Sequence, residues 1–202
     1  MRRMEMLIVA GFLGSGKTTL VLSTIEKIIE RTGKKVVIIV NDFGTVGIDG
    51  KIMEKYGLKV AELASGCICC TLGGDLLTTV QDIEENIKPD LLVIEPTGLA
   101  DPEAIVRAMD HYPGKPLERI RSAVIIDAAR FPAIFKALNR PLTSQVKSAD
   151  LVLINKVDAV SPEVLEAVKA DLRTLDADVP IIYVSALNGT NVDEAVDAMV
   201  AS

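Results

Sequence analysis

Short, continuously apolar runs alternate along the chain with longer stretches in which apolar and polar positions repeat at helical period. The runs are Leu7 to Ala10, Val36 to Val40, Leu91 to Ile94, Ala123 to Ile126, Leu151 to Ile154 and Pro180 to Val184. Runs of this length without polar alternation predict strands buried on both faces of a parallel sheet. Lys17 to Arg31, Leu72 to Ile87, Pro102 to Tyr112, Pro162 to Thr174 and Val192 to Val200 read as helices. Pro102 and Pro162 stand where a first helical residue is expected, after Asp101 and Ser161 as N-caps. Strand and helix in alternation predict an α/β fold, a three-layer α/β/α domain with a mostly parallel sheet and its ligand site at the carboxyl ends of the strands. No linker divides the pattern, so a single domain over residues 1–202 is expected.

Composition narrows the functional classes. Hydrophobic residues make up 49% of the 202 and charged residues 25%, which argues against disorder. A net charge of -6, 3% aromatic residues and no Trp give neither the basic footprint nor the stacking platforms of a nucleic-acid binder, so no nucleic-acid polymer is expected as partner. Arg2-Arg3 before an apolar run is reminiscent of a signal peptide, but the run is short, lacks a cleavage site and flows into a glycine motif. No stretch approaches the ~20 apolar residues of a membrane span. A soluble, cytoplasmic protein with no membrane partner is expected.

Residues 11 to 18 read Gly-Phe-Leu-Gly-Ser-Gly-Lys-Thr, the G-x-x-x-x-G-K-[ST] pattern, between a predicted strand and a predicted helix. Gly11, Gly14, Ser15 and Gly16 let the backbone curl so that its N–H groups face phosphate oxygens. Lys17 brings a cation to the β- and γ-phosphates, Thr18 offers a hydroxyl to Mg²⁺, and Thr19 continues the helix start, where the dipole is positive. The fold expected is therefore that of a P-loop NTPase. After the strand Leu91 to Ile94 come Glu95-Pro96-Thr97-Gly98. Glu95 is positioned to hold or orient a magnesium shell and Gly98 to present its N–H to the γ-phosphate. Lys17, Glu95 and Gly98 are thus the candidate catalytic groups.

Asn155-Lys156-Val157-Asp158 follows the strand Leu151 to Ile154. Guanine offers N1–H and a 2-amino group on one edge, and a single carboxylate, Asp158, can accept both; adenine cannot supply that pair. Lys156 can lay its stem on the purine face and Asn155 can tie loops together. Ser185, Ala186 and Leu187 follow the last strand, where a backbone N–H can meet guanine O6. GTP and GDP are the nucleotides expected.

Three thiols, Cys67, Cys69 and Cys70, lie within four positions after Gly66. Thiolates suit Zn²⁺ and other borderline or soft metals. A closed tetrahedral site needs a fourth ligand, for which water, Glu62, Asp42, His111 and a partner subunit are candidates. Redox sensing through a Cys67–Cys70 pair and simple packing are the alternatives.

Taken together, Gly11 to Leu20, Asn41-Asp42-Phe43-Gly44, Glu62 to Cys70, Glu95 to Gly98 and Asn155 to Asp158 occur in the order seen in the CobW-type GTPases, relatives of HypB and UreG, and the chain resembles that family over nearly its whole length. The resemblance implies a GTPase whose nucleotide state controls delivery of a transition metal, zinc or cobalt, to a client metalloprotein. It also implies Asp42 in a switch loop near the magnesium and a nucleotide-dependent homodimer. It leads one to expect a second C-terminal domain and a histidine-rich stretch, neither of which follows the last helix here, so a free-standing GTPase domain is expected. No residue stands out as the one positioning water; Gln81 and Gln145 are the only glutamines and neither lies in a motif. Two other classes stay open: a regulatory GTPase switch without a metal role, and a P-loop kinase acting on a small molecule, against which Asp158 argues.

Overall fold

A computed structural model of the chain describes residues 3–40, 59–62 and 74–201, with the backbone alone for 59–62 and 74–75. Among the described residues, seven strands form one sheet: β1 (Glu5–Ala10), β2 (Val36–Val40), β3 (Lys59–Glu62), β4 (Leu91–Glu95), β5 (Arg119–Asp127), β6 (Leu151–Asn155) and β7 (Ile181–Tyr183). Their spatial order is β3-β2-β4-β1-β5-β6-β7, and every pairing is parallel. The helices are α1 (Lys17–Thr32), α2 (Gly74–Asn86), α3 (Pro102–Met109), α4 (Phe131–Ala137), α5 (Asn139–Lys147), α6 (Pro162–Leu175) and α7 (Val192–Val200). None of the helices among the described residues is long and apolar enough to cross a membrane.

The continuous apolar runs are explained by burial on two sides. Leu7 and Val9 point to one face, where they pack with Leu20, Val21, Ile25 and Ile28 of α1 and Val192, Ala195 and Val196 of α7. Met6 and Ile8 point to the other, against Leu76, Val80 and Ile83 of α2 and Ile105 of α3. Further along that face, Val124 and Ile126 meet Phe131, Leu142 and Val146 of α4 and α5 and Val168 and Leu172 of α6. Each of the larger side chains here, Val, Leu, Ile, Met or Phe, contributes roughly 1.5–3 kcal/mol when fully buried. At the amino edge, away from the candidate site, buried Glu5 pairs with Lys34 at 2.6 Å and Arg119 at 2.9 Å. Burial pushes the Glu5 carboxyl up, but the two cations outweigh it and hold it below the usual range.

Several elements differ from the pattern. β3, α4 and α5 were not expected. β3 carries Lys59, Ala61 and Glu62, poor strand formers, and among the described residues pairs only with β2. α4 and α5 are short and contain Pro132 and Pro141, which read as breakers but fall in the first turn of each helix, where proline is tolerated. β5 begins earlier, at Arg119, because its polar start lies at the sheet's amino edge. α3 stops at Met109 rather than Tyr112. Asp101 does cap α3, accepting from the Glu103 amide at 3.0 Å, whereas the Ser161 side chain makes no cap bond to α6. Of the expected helix Leu72 to Ile87, the first two residues lie outside the described ones, and α2 itself ends at Asn86.

The strand order fixes where chemistry can occur. β1 lies between β4 and β5, so the chain leaves three neighbouring strands at one edge, at Gly11, Glu95 and Asp127. β6 ends beside β5, with Asn155 in register with Asp127.

Candidate nucleotide site

The loop between β1 and α1 is built from glycines that no other residue could replace without strain. Gly11, Gly14 and Gly16 have φ of +139°, +77° and +91°. Space is as short as conformation: a Cβ on Gly11 would lie 2.3 Å from the Ile125 carbonyl oxygen, and one on Gly16 would lie 2.4 Å from Asn155 Nδ2. Gly16 starts α1 without any side-chain cap, so the first-turn amides of the helix, Thr18 and Thr19 among them, lack a local acceptor side chain. Lys17 is buried and its Nζ donates to the Phe12 carbonyl at 3.4 Å. Burial pushes the Lys17 ammonium below its ordinary pKa, and the Glu95 charge opposes that only in part. Ser15 Oγ is buried with no hydrogen-bond partner among the described residues. A buried cation, a buried hydroxyl and uncapped helix amides around a glycine cradle fit a polyphosphate.

Two further groups approach this loop from β4. Thr18 Oγ1 donates to Glu95 Oε1 at 2.7 Å, and Glu95 is 9% exposed. A carboxylate and a hydroxyl side by side at the loop edge are oxygen ligands suited to a hard divalent cation. Gly98 lies directly on the loop backbone: a Cβ there would be 2.5 Å from the Leu13 nitrogen. The loop after β4 and the loop after β1 are therefore in contact.

On the other side stands the strand end of β6. Asn155 is buried and makes two bonds, donating from Nδ2 to the Ser15 carbonyl at 2.9 Å and accepting at Oδ1 from the Ala186 amide at 3.0 Å. One side chain thus joins the loops after β1 and β7. Lys156 adopts φ +65° and reaches back, donating to the Gly14 carbonyl at 2.7 Å and to Asp127 Oδ2 at 2.8 Å. Asp158 is exposed, with no hydrogen bond or ion pair among the described residues. The Ser185 amide donates to the Thr190 carbonyl and the Ala186 amide to Asn155, so Leu187 is the one of the three whose N–H has no acceptor among the described residues.

Three residues here were not anticipated. Asp127 is almost fully buried and accepts from the Ala129 and Arg130 amides at 3.0 and 3.2 Å besides Lys156. Its signal was available, since it ends an apolar strand as Glu95 does. Arg130 donates from Nη1 to the Leu13 carbonyl at 2.9 Å, and buried Gln145 donates to two carbonyls after Glu95; neither has a sequence signal of its own. Asp42, Cys67, Cys69 and Cys70 lie outside the described residues, as does the side chain of Glu62. His111 is exposed in the turn after α3, at the amino edge of the sheet, whereas Glu62 ends β3 at the carboxyl edge.

A glycine cradle after β1, tied through Asn155 and Lys156 to an Asn-Lys-x-Asp segment after β6 of a parallel sheet, gives this domain the fold and loop arrangement of a P-loop nucleotide-binding protein. The family whose sequence model is described as "CobW/HypB/UreG, nucleotide-binding domain" matches residues 5–183, and the chain belongs to that family. Among its relatives, the zinc chaperone YeiR of Escherichia coli is 33% identical over 163 residues, covering 80% of this chain and 49% of the relative. The zinc chaperone CobW of Pseudomonas aeruginosa is 31% identical over 222 residues, covering 91% of this chain and 57% of the relative. Of solved structures, the Zn(II)-bound YjiA GTPase of E. coli superposes with a TM-score of 0.67 at 27% identity, covering 94% of this chain and 59% of that one. The chain spans about half the length of the curated relatives it matches.

Proposed function

We propose that this chain binds GTP with Mg²⁺, hydrolyses it to GDP and phosphate, and uses that cycle to bind zinc and hand it to a client metalloprotein. The observation that carries the nucleotide part is the Asn155 side chain, bonded at once to the Ser15 carbonyl and the Ala186 amide. It joins the phosphate loop to both base-side loops, so one rigid frame faces the whole length of a nucleotide.

In this frame the backbone amides from Gly11 to Thr19 take the phosphates, and Lys17 places its charge beside the β- and γ-phosphates. The buried ammonium has little hydration to lose, which suits it to a polyanion. Thr18 and Glu95, with Asp42 as a further candidate, would hold Mg²⁺, which supplies neutralisation of the charge that develops on the phosphate oxygens. Gly98 presents its N–H on the γ-phosphate side. At the other end, the Lys156 stem lies along the purine while its ammonium is anchored on Gly14 and Asp127. Asp158 accepts from guanine N1–H and the 2-amino group, and the Leu187 N–H is available to O6.

Zinc is the cargo in this scheme. The cargo ligands are assigned to Cys67, Cys69 and Cys70, three thiols within four positions whose thiolates suit a borderline metal. The zinc-chaperone relatives favour zinc over cobalt. Leu13, Leu99 and Leu187, exposed at 81%, 63% and 84%, stand on the loops after β1, β4 and β7 at the carboxyl edge of the sheet, which supports a nucleotide-dependent homodimer across that edge. A cytoplasmic setting fits this scheme. Zinc titrations under GTP analogue and under GDP test the coupling. Affinities should differ at least about fivefold, reciprocally for zinc and nucleotide, and the Cys67/Cys69/Cys70→Ser protein should lose the tight site. Equal zinc affinity in both nucleotide states would refute it.

A further inference from the structure

We propose that Gln145 is a positioning residue for GTP hydrolysis, holding the loop after β4 so that Gly98 stays against the phosphate loop. The proposal rests on the GTPase activity proposed above. Gln145 belongs to the inward stripe of α5, with Leu142 and Val146 beside it. Those two neighbours pack in the apolar cluster with β5, β6 and α6. A hydrocarbon side chain is the ordinary occupant of such a position, and an amide there costs free energy unless its hydrogen bonds are made. Its Nε2 donates to the Gly98 carbonyl at 3.1 Å and to the Ala100 carbonyl at 2.8 Å. Both protons of one amide are therefore committed to one loop.

The neighbouring residue works on the same segment. Ser144 Oγ donates to Asp101 Oδ2 at 2.9 Å, and Asp101 caps α3. Consecutive residues of α5 thus grip both ends of residues 98–101. On its other side this loop touches the phosphate loop, since a Cβ on Gly98 would lie 2.5 Å from the Leu13 nitrogen. Arg130, just before α4, holds the Leu13 carbonyl from the same quarter. Residues 130–145 therefore contact both loops that flank the position of the terminal phosphate, and the base side does not involve Gln145 at all. A group so placed acts on the triphosphate state and leaves the diphosphate untouched. Gln145 Oε1 is buried with no hydrogen-bond partner among the described residues, so its donors, not its acceptor, explain why an amide stands here.

The test compares the parent chain with Gln145→Met, which keeps the volume and removes both donors, and Gln145→Glu, which keeps the shape and sets a carboxylate against two carbonyls. Single-turnover GTP hydrolysis, fluorescent-GDP affinity and thermal midpoint are measured on each. The expected result is hydrolysis slowed about tenfold in Gln145→Met and more in Gln145→Glu, with GDP affinity within about twofold of the parent. Unchanged hydrolysis would overturn the proposal, and so would a parallel loss of hydrolysis and GDP affinity, which marks a general structural role. If neither variant folds, hydrogen exchange on the parent protein decides: residues 97–101 should be better protected with a GTP analogue than with GDP, and equal protection overturns the idea. A parent chain that does not hydrolyse GTP would instead refute the GTPase assignment, which separates the two failures.

Discussion

The two ends of the site are held in different ways. On the base side, Asn155, Lys156 and Asp127 form a closed set of bonds among the loops after β1, β5, β6 and β7, and all but Lys156 are buried. On the phosphate side, the loop carrying Gly98 makes van der Waals contact with the phosphate loop and is gripped from behind by α5. On the proposal above, the base side meets only groups that GTP and GDP share. The phosphate side rests on a loop that can respond to the third phosphate, the usual requirement for a nucleotide switch.

Breaking the tie between the two ends should cost the most. Gly16→Ala forces a φ of +91° on alanine and drives a methyl to 2.4 Å from Asn155 Nδ2, so it attacks the cradle and the tie together. Fluorescent-nucleotide titration should show GTP and GDP affinity falling about a hundredfold or more, with circular dichroism of a folded protein. Asp127→Asn is milder. It removes the counter-charge of Lys156 but leaves the bond to the Gly14 carbonyl. Both nucleotides should weaken by about tenfold and to the same extent in a titration. A loss confined to GTP would erase the distinction between the two ends.

How much of this was legible in the chain follows from how local each signal is. β1, α1 and the glycine loop are contiguous, and their residues state their own geometry. Asn155 was expected to tie loops together because it stands in a motif, and its two bonds do so. Asp127 ends an apolar run as Glu95 does, but it was missed because its side-chain partner, Lys156, is distant along the chain and is brought to it by the β5–β6 register. Gln145 was passed over for the same reason, compounded by Pro132 and Pro141, which hid α4 and α5. The expectation that any of Ser185, Ala186 and Leu187 can meet guanine O6 narrowed to Leu187 because Asn155 and Thr190 take the other two amides. The cysteine loop remains a sequence observation, since Cys67, Cys69 and Cys70 lie outside the described residues.

Nucleotide selectivity tests the central claim most directly. Binding of GTP, ATP and xanthosine triphosphate is measured by titration on the parent chain and on Asp158→Asn. Asp158 is exposed and bonded to nothing among the described residues, so the change leaves the frame intact and alters only what meets the base edge. The parent should prefer GTP over both others, and Asp158→Asn should lose GTP affinity and shift toward xanthosine triphosphate. Unchanged GTP affinity in Asp158→Asn would contradict the account.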